Sequence, residues 1–278
     1  MGSTASIERV VWFLWFQGLA NAPYVVRRCH ESWIARNPTW RVVGLDESSL
    51  QGLASVDYRS GNLAGLSANH RADLLRLDLL THHGGVWADA SCFCMQPLDD
   101  WLPPNMESGF FAFNRPGPDR LVSSWFLAAE LPNLLVNRLF DRMAAYWGGT
   151  AFPWDKRQVT RKVLTRLLRH SPRTRAWWFS SPVRDLLAVS PYYAFHYGFE
   201  KLVREDRDCA EIWRRTPKIS AARPQRLYRA GLLSPGSPEL RSEIDRRAIP
   251  VYKTTWKLQG KDIPDDSLLH YLLESTRT

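Results

Sequence analysis

The sequence predicts an α/β fold, and three observations carry that prediction: a β-α-β opening, a helix-to-strand unit ending near residue 89, and a helix-rich second half. The opening starts with Val10-Val11-Trp12-Phe13-Leu14-Trp15-Phe16, an unbroken apolar and β-branched run ended by Gln17-Gly18. Such a run suits a parallel strand buried on both faces. From Ala22 to Asn37, Val25, Val26, Cys29, Trp33 and Ile34 recur at helical spacing, with Pro23 near the start and Asn37-Pro38 at the close. Trp40 to Leu45 reads as the second strand, and Asp46 stands where it could cap a short helix. A sheet that opens this way binds its ligands at the carboxyl ends of its strands.

The next unit spans Asn69 to His83, where Leu74, Leu75, Leu77, Leu79 and Leu80 supply a broad apolar face and Gly84-Gly85 stops the helix. Val86-Trp87-Ala88 is then a short strand that delivers Asp89 to its end. Beyond Trp101 the spacing predicts helices over Leu121 to Trp147 and Lys156 to Arg169, interrupted by Gly148-Gly149 and Pro153. The tail from Ser234 carries a strand at Ile249 to Tyr252 and a terminal amphipathic helix. The expected organisation is one domain over 1–278, with a sheet core at 7–115, a helical elaboration at 116–233 and a closing segment at 234–278.

Length and composition bound what such a chain can do. At 278 residues, 45% of them hydrophobic, it can bury a substantial core. Lys and Arg number 37 against 28 Asp and Glu, a net +9 that favours anionic partners. The Arg residues are scattered among Trp and Pro rather than gathered into a block, so nucleic acid is not the expected partner. The Arg-rich segments Arg157 to Arg175 and Arg204 to Arg229 suit solvated helix faces, or docking on anionic lipid. Cys29, Cys92, Cys94 and Cys209 form no CxxC pair, which fits buried free thiols in a reducing compartment. The run Val10 to Phe16 is too short to span a membrane and lacks a signal peptide's flanks. The expected location is cytoplasmic, with peripheral contact at the inner membrane face as the variant the Arg-rich segments allow. Met1-Gly2 with Ser6 fits the N-myristoylation pattern formally, a match too short to weigh.

Asp73 and Arg76, three residues apart on one helix, project from one face of it, and that helix leads directly to Asp89. Carboxylates accept hydrogen bonds from ribose and sugar hydroxyls, and a guanidinium binds phosphate oxygens with fixed geometry, so the three suit a nucleotide sugar. The same residues also suit a solvated i,i+3 ion pair and an ordinary turn. Asp99 and Asp100, before Trp101, read as solvated turn carboxylates, and Cys92 and Cys94 as core.

Ser67-Ala68-Asn69-His70-Arg71-Ala72-Asp73-Leu74-Leu75-Arg76, followed by Leu80, Gly84-Gly85-Val86-Trp87 and Asp89-Ala90-Ser91, resembles the signature of the capsular polysaccharide synthesis glycosyltransferases. These are relatives of glycosyltransferase family 32 and of the clostridial glucosylating toxins. The resemblance continues at Trp15-Phe16-Gln17-Gly18, Ala22-Pro23, Glu31-Ser32-Trp33, Asn37-Pro38 and Pro97-Leu98-Asp99-Asp100-Trp101, and less evenly at Pro191-Tyr192 through His196, Thr216 through Ala221, and Pro250-Val251-Tyr252-Lys253-Thr254-Thr255-Trp256-Lys257.

The resemblance implies a GT-A-type, Rossmann-like nucleotide-sugar-binding domain that moves a hexose from a nucleotide diphosphate sugar, UDP-hexose by default, to a glycan or lipid-linked glycan with retention. It places Trp15, Gln17 and Gly18 at the nucleotide, with a packing role for Trp15 equally open. It gives Asp73 and Arg76 the donor sugar and phosphate, and lets Thr254, Trp256 and Lys257 close over the diphosphate. Asp89 and Arg76 would be the catalytic pair, and His196, in an aromatic cluster, would lie on the acceptor side or simply pack. Asp89 stands where the family's DxD motif begins, but Ser91 replaces its second carboxylate, and a hydroxyl is a poor ligand for Mn²⁺ or Mg²⁺. The expectation is a metal on Asp89 and Ser91; the alternative is that Lys253 and Lys257 neutralise the leaving group. Other readings within reach are a protein-glycosylating effector and a non-catalytic binder of nucleotide sugars or anionic glycans.

Overall fold

The strand β1 (Val10–Leu14) is buried along its whole length because the sheet continues on both sides of it and apolar layers cover both faces. The computed structural model describes residues 7–153, 156–258 and 262–275, so the Met1-to-Ser6 pattern lies outside the described residues. Helix α1 (Tyr24–Arg36) crosses over to β2 (Arg41–Leu45), which pairs parallel with β1. Asp46 caps no helix. Its carboxylate accepts from the Ser48 and Ser49 amides at 2.9 and 2.8 Å, so the chain turns locally instead.

Helix α2 (Ala68–His83) begins at Ser67, whose hydroxyl caps it, and runs into β3 (Gly85–Ala88), parallel to β1. Both glycines between them have positive φ, 61° at Gly84 and 88° at Gly85. A Cβ at Gly85 would lie 2.6 Å from the Val10 carbonyl oxygen, so the helix can enter the sheet this tightly only without a side chain there. The short β4 (Cys92–Cys94) and helix α3 (Leu98–Trp101) follow, then β5 (Phe110–Gly117) and β6 (Arg120–Ala129). Asp99, at the start of α3, is a structural carboxylate that accepts from Trp40 Nε1 at 3.0 Å.

The helix expected from Leu121 is therefore corrected: residues 120–129 form a strand, and α4 (Leu134–Gly149) starts only after it. Leu121 through Ala129 is apolar apart from the adjacent Ser123-Ser124, a pattern that matches neither a period of two nor one of 3.6 and so does not tell strand from helix. Pairing decided it, because β6 lies antiparallel to both β3 and β5 and completes the sheet order β2-β1-β3-β6-β5. The elaboration after it is helical: α5 (Gln158–Leu168), α6 (Pro172–Ala176), α7 (Ala194–Glu205), α8 (Arg207–Arg215), α9 (Arg226–Ala230) and α10 (Pro238–Asp245). The strand β7 (Val251–Lys253) pairs antiparallel with β4, and α11 (Leu268–Glu274) closes the described chain.

Alternation along β1 divides the core. Val11 and Phe13 join α1, β4, β7 and α11 on one face, and Val10, Trp12 and Leu14 join α2, α4 and α7 on the other. Among the described residues all four cysteines are buried free thiols, and no helix is long and apolar enough to cross a membrane.

Candidate active site

Three of the elements that meet at the carboxyl ends of β1 and β3 frame a cleft of about 580 Å³. The chain leaving β1 supplies Trp15 and Gln17, helix α2 supplies Asp73 and Arg76, and the chain leaving β3 supplies Asp89 and Ser91. Lys253 and Trp256 enter from β7 and the loop after it, and Tyr192, Tyr193 and His196 from the start of α7 and the loop before it.

Arg76 forms the floor and is almost fully buried. Its Nη1 lies 2.7 Å from Asp73 Oδ1 and donates to the Ser124 carbonyl at 2.8 Å, while Nη2 donates to Asp89 Oδ1 at 3.2 Å. Its guanidinium also lies 5.1 Å from the centre of the Trp87 ring, and Trp87 Nε1 donates to the same Asp89 oxygen at 2.9 Å. The arginine is thus held in one orientation from several sides, as a group that must present a fixed fork to a ligand requires.

The two carboxylates titrate apart. Burial pushes Asp73 up to about 6, since Arg76 offsets only part of the desolvation and Asp89 opposes its ionisation. Burial acts on Asp89 in the same direction, but Arg76 and Lys253 together outweigh it and hold Asp89 below the usual carboxylate range. Asp89 therefore loses its proton first, and Asp73 follows only as the pH passes about 6, so both are charged at neutral pH. Burial, with the nearby Arg120 and Arg76, lowers His196 to about 3, so its ring is neutral.

Lys253 closes the other side of Asp89. Its ammonium lies 3.4 Å from Asp89 Oδ2 and donates to Ser91 Oγ in a short hydrogen bond. The backbone fixes it there, because Lys253 is paired with Cys92 in the β4–β7 ladder and the Thr254 amide donates to the Ser91 carbonyl at 2.8 Å. Thr254 Oγ1 donates to that carbonyl too, at 2.9 Å, and is buried, so Thr254 supports Ser91 from beneath. Trp15 and Trp256 meet edge to face with centroids 5.8 Å apart. Gly18 lies beside Asp46, and Lys257 is exposed; neither lines the cleft.

A divalent ion was expected on Asp89 and Ser91, and this donor set does not suit one. The Ser91 hydroxyl and one Asp89 oxygen already face the Lys253 ammonium, and the other Asp89 oxygen serves Arg76 and Trp87. No group of three His, Cys, Asp or Glu that could hold a metal occurs among the described residues. Mg²⁺ needs near-octahedral oxygen ligation, and one shared carboxylate beside two cations is a poor start.

Three ring nitrogens of cleft residues are buried with no hydrogen-bond partner among the described residues: Nε1 of Trp15, Nε1 of Trp125 and Nδ1 of His196. Buried polar atoms are seldom left so, and although His30, Trp101, Trp147 and Trp178 carry such nitrogens elsewhere in the fold, these three stand where a polar ligand in the cleft can meet them. Sequence reasoning singled out neither Trp125 nor Arg120, whose guanidinium lies over Tyr193 at 4.3 Å from the ring centre. Both sit on β6, Trp125 within the segment that reads as helix and Arg120 just before it, and only the strand brings them to the cleft. Nothing in the sequence marks Gln225 as a cleft residue.

An α/β sheet with a polar, cation-lined cleft at its strand ends defines the class, and comparison with known proteins supplies the family. The chain matches the family described as capsular polysaccharide synthesis protein over residues 3–155, more than half its length, and belongs to that family. It is similar to the O-glycosyltransferase braB of Annulohypoxylon truncatum, 29% identical over 51% of this chain and 38% of that one. It is also similar to the glycosyltransferase afumC of Aspergillus fumigatus, 34% identical over 52% of this chain and 42% of that one. The probable glycosyltransferase FCK3 of Fusarium pseudograminearum is 24% identical over 75% of this chain and 57% of that one. The chain spans about two-fifths of the length of the first two relatives. Among solved structures, the PaToxG glycosyltransferase aligns with a TM-score of 0.41 and 11% identity over 98% of this chain and 86% of its own, too loose a likeness to argue from.

Proposed function

We propose that the chain is a glycosyltransferase whose cleft binds a nucleotide diphosphate sugar, UDP-hexose by default, and transfers the hexose to a hydroxyl of a glycan acceptor with retention. The observation that carries this is the Asp73–Arg76–Asp89–Lys253 chain of charges at the floor of a cleft that also presents unpartnered ring nitrogens. In this reading Trp15 and Trp256 flank the base, Asp73 and Asp89 accept hydrogen bonds from sugar hydroxyls, and Arg76 and Lys253 face the diphosphate. The bond from the anomeric carbon to the diphosphate oxygen breaks with its electron pair going to that oxygen. The acceptor oxygen forms the new bond and its proton passes to the departing diphosphate. The protein's part is to orient the donor and to stabilise charge as it develops on the leaving group. Tyr192, Tyr193 and His196 form the opposite wall, where the acceptor would enter.

A lipid-linked glycan acceptor would bring the protein to an anionic membrane. Helix α5 suits such contact: it exposes Val159, Val163 and Leu167 at i, i+4 and i+8, with the exposed cations Lys162 and Arg166 among them. Flotation with vesicles containing phosphatidylglycerol should carry the protein, and Val163→Asp should abolish it.

The deciding experiment is a thermal-shift screen of UDP, GDP and CMP sugars followed by NMR of the product with the donor that binds. The expected results are a shift from one nucleotide class that is lost in Asp89→Ala, and a product anomer matching the donor. An inverted anomer would sink retention, binding without hydrolysis or transfer would indicate a non-catalytic binder, and the absence of any shift would remove the donor site itself.

A further inference from the structure

Where a divalent ion would bridge Asp89 and residue 91, this chain has a side chain of its own. We propose that the Lys253 ammonium supplies the positive charge an ion would otherwise bring to the donor diphosphate, so that diphosphate binds this cleft without divalent metal. The inference rests on the donor-site reading above.

The positioning is built rather than incidental. Lys253 ends β7, whose ladder with β4 fixes its backbone beside the chain that has just left Asp89 and Ser91. Thr254 then ties the two segments again through both its amide and its hydroxyl on the Ser91 carbonyl. Ser91 suits an ammonium partner: its hydroxyl accepts from Lys253 without adding a charge, whereas a second carboxylate there would pair with the cation and neutralise it. Arg76 holds the remaining oxygen of Asp89, so the carboxylate orients two cations toward one space.

The charge balance points the same way. The cleft is lined by three cations, Arg76, Arg120 and Lys253, against two carboxylates, Asp73 and Asp89. The surplus is positive before any ion arrives. A divalent ion at Asp89 would have to displace the ammonium and sit within a few ångströms of two positive groups, whereas a diphosphate meets cations already in place.

Calorimetric titration of the whole chain with UDP, GDP, CDP and ADP, each in EDTA and each in MnCl₂, tests this, with electron paramagnetic resonance counting free Mn²⁺ in the same samples. The expected result is one diphosphate that binds within threefold of the same affinity in both buffers and takes up no protein-bound Mn²⁺. Lys253→Met should weaken that binding at least tenfold in EDTA, and Lys253→Arg should retain most of it. Ser91→Asp combined with Lys253→Ala should create two facing carboxylates and make diphosphate binding depend on Mn²⁺. Binding by the wild type that appears only with Mn²⁺, or that tightens more than tenfold with it, overturns the metal-free proposal and leaves the donor site standing. If none of the four diphosphates binds in either buffer, the donor-site reading fails and this inference falls with it. The EDTA and MnCl₂ arms on the wild type decide the matter even if a Lys253 variant does not fold.

Discussion

Asp73→Asn separates what the cleft does from what holds the fold together. Asp73 is a largely desolvated carboxyl at the cleft floor, its side chain 16% exposed, whose pKa is raised from 3.8 to about 6 by desolvation only partly relieved by Arg76 at 2.7 Å. In the unfolded chain it loses its proton near the ordinary value; in the fold it keeps it about two units longer. Between those pH values the folded state binds more protons, so its stability falls as pH rises from about 4 to about 6 and stays low above that. At 1.36 kcal/mol per unit, and with the unfolded carboxyl already more than half ionised at pH 4, the group lowers wild-type stability at pH 7 by about 2 kcal/mol relative to pH 4. Asparagine cannot ionise. The difference in unfolding free energy, variant minus wild type, should therefore grow by about 2 kcal/mol from pH 4 to pH 7, while donor binding is lost at all pH values. Urea unfolding of both proteins at half-unit pH steps reads this directly. A constant difference across the range would refute the argument, because it would mean that Asp73 ionises equally well in both states.

Other outcomes follow from the same geometry. Gly85→Ala puts a Cβ 2.6 Å from the Val10 carbonyl oxygen at a φ of 88°, and should lower stability by about 2 kcal/mol or more, measured by chemical denaturation. Trp256 is 42% exposed and touches Trp15 only at an edge, so Trp256→Ala should leave the melting temperature nearly unchanged while weakening nucleotide binding by about 1–3 kcal/mol in calorimetry. His196 is held neutral in the fold with its pKa lowered to about 3. The unfolded chain takes up that proton below about 6.5, so the stability it confers is complete above 6.5 and is lost as pH falls toward 3; His196→Phe should flatten the acid side of the stability profile over that window.

Much of the site was legible because its residues are close in sequence. Asp73, Arg76 and Asp89 lie within one helix–glycine–strand unit, and helical periodicity together with Gly84-Gly85 is enough to place all three near one strand end. The same local logic gives β1, α1 and β2, where an apolar run, a capped amphipathic stretch and another strand follow at short intervals. Trp15 and Gln17 come with β1 for that reason.

What the sequence alone determined is what local chemistry dictates: a buried parallel strand at Val10, a helix that presents Asp73 and Arg76 together, a glycine pair that turns it into β3, and an excess of positive charge. The tertiary structure decided everything that depends on pairing between distant segments. Residues 120–129 are a strand because β3 offered an edge, and that choice carried Arg120 and Trp125 into the cleft. Lys253 lies against Asp89, 164 residues away, because β7 pairs with β4, and no period or cap in the sequence records that ladder. Periodicity reports only which face of an element is apolar; which partner covers that face, and so which charges meet, is set when the elements pack.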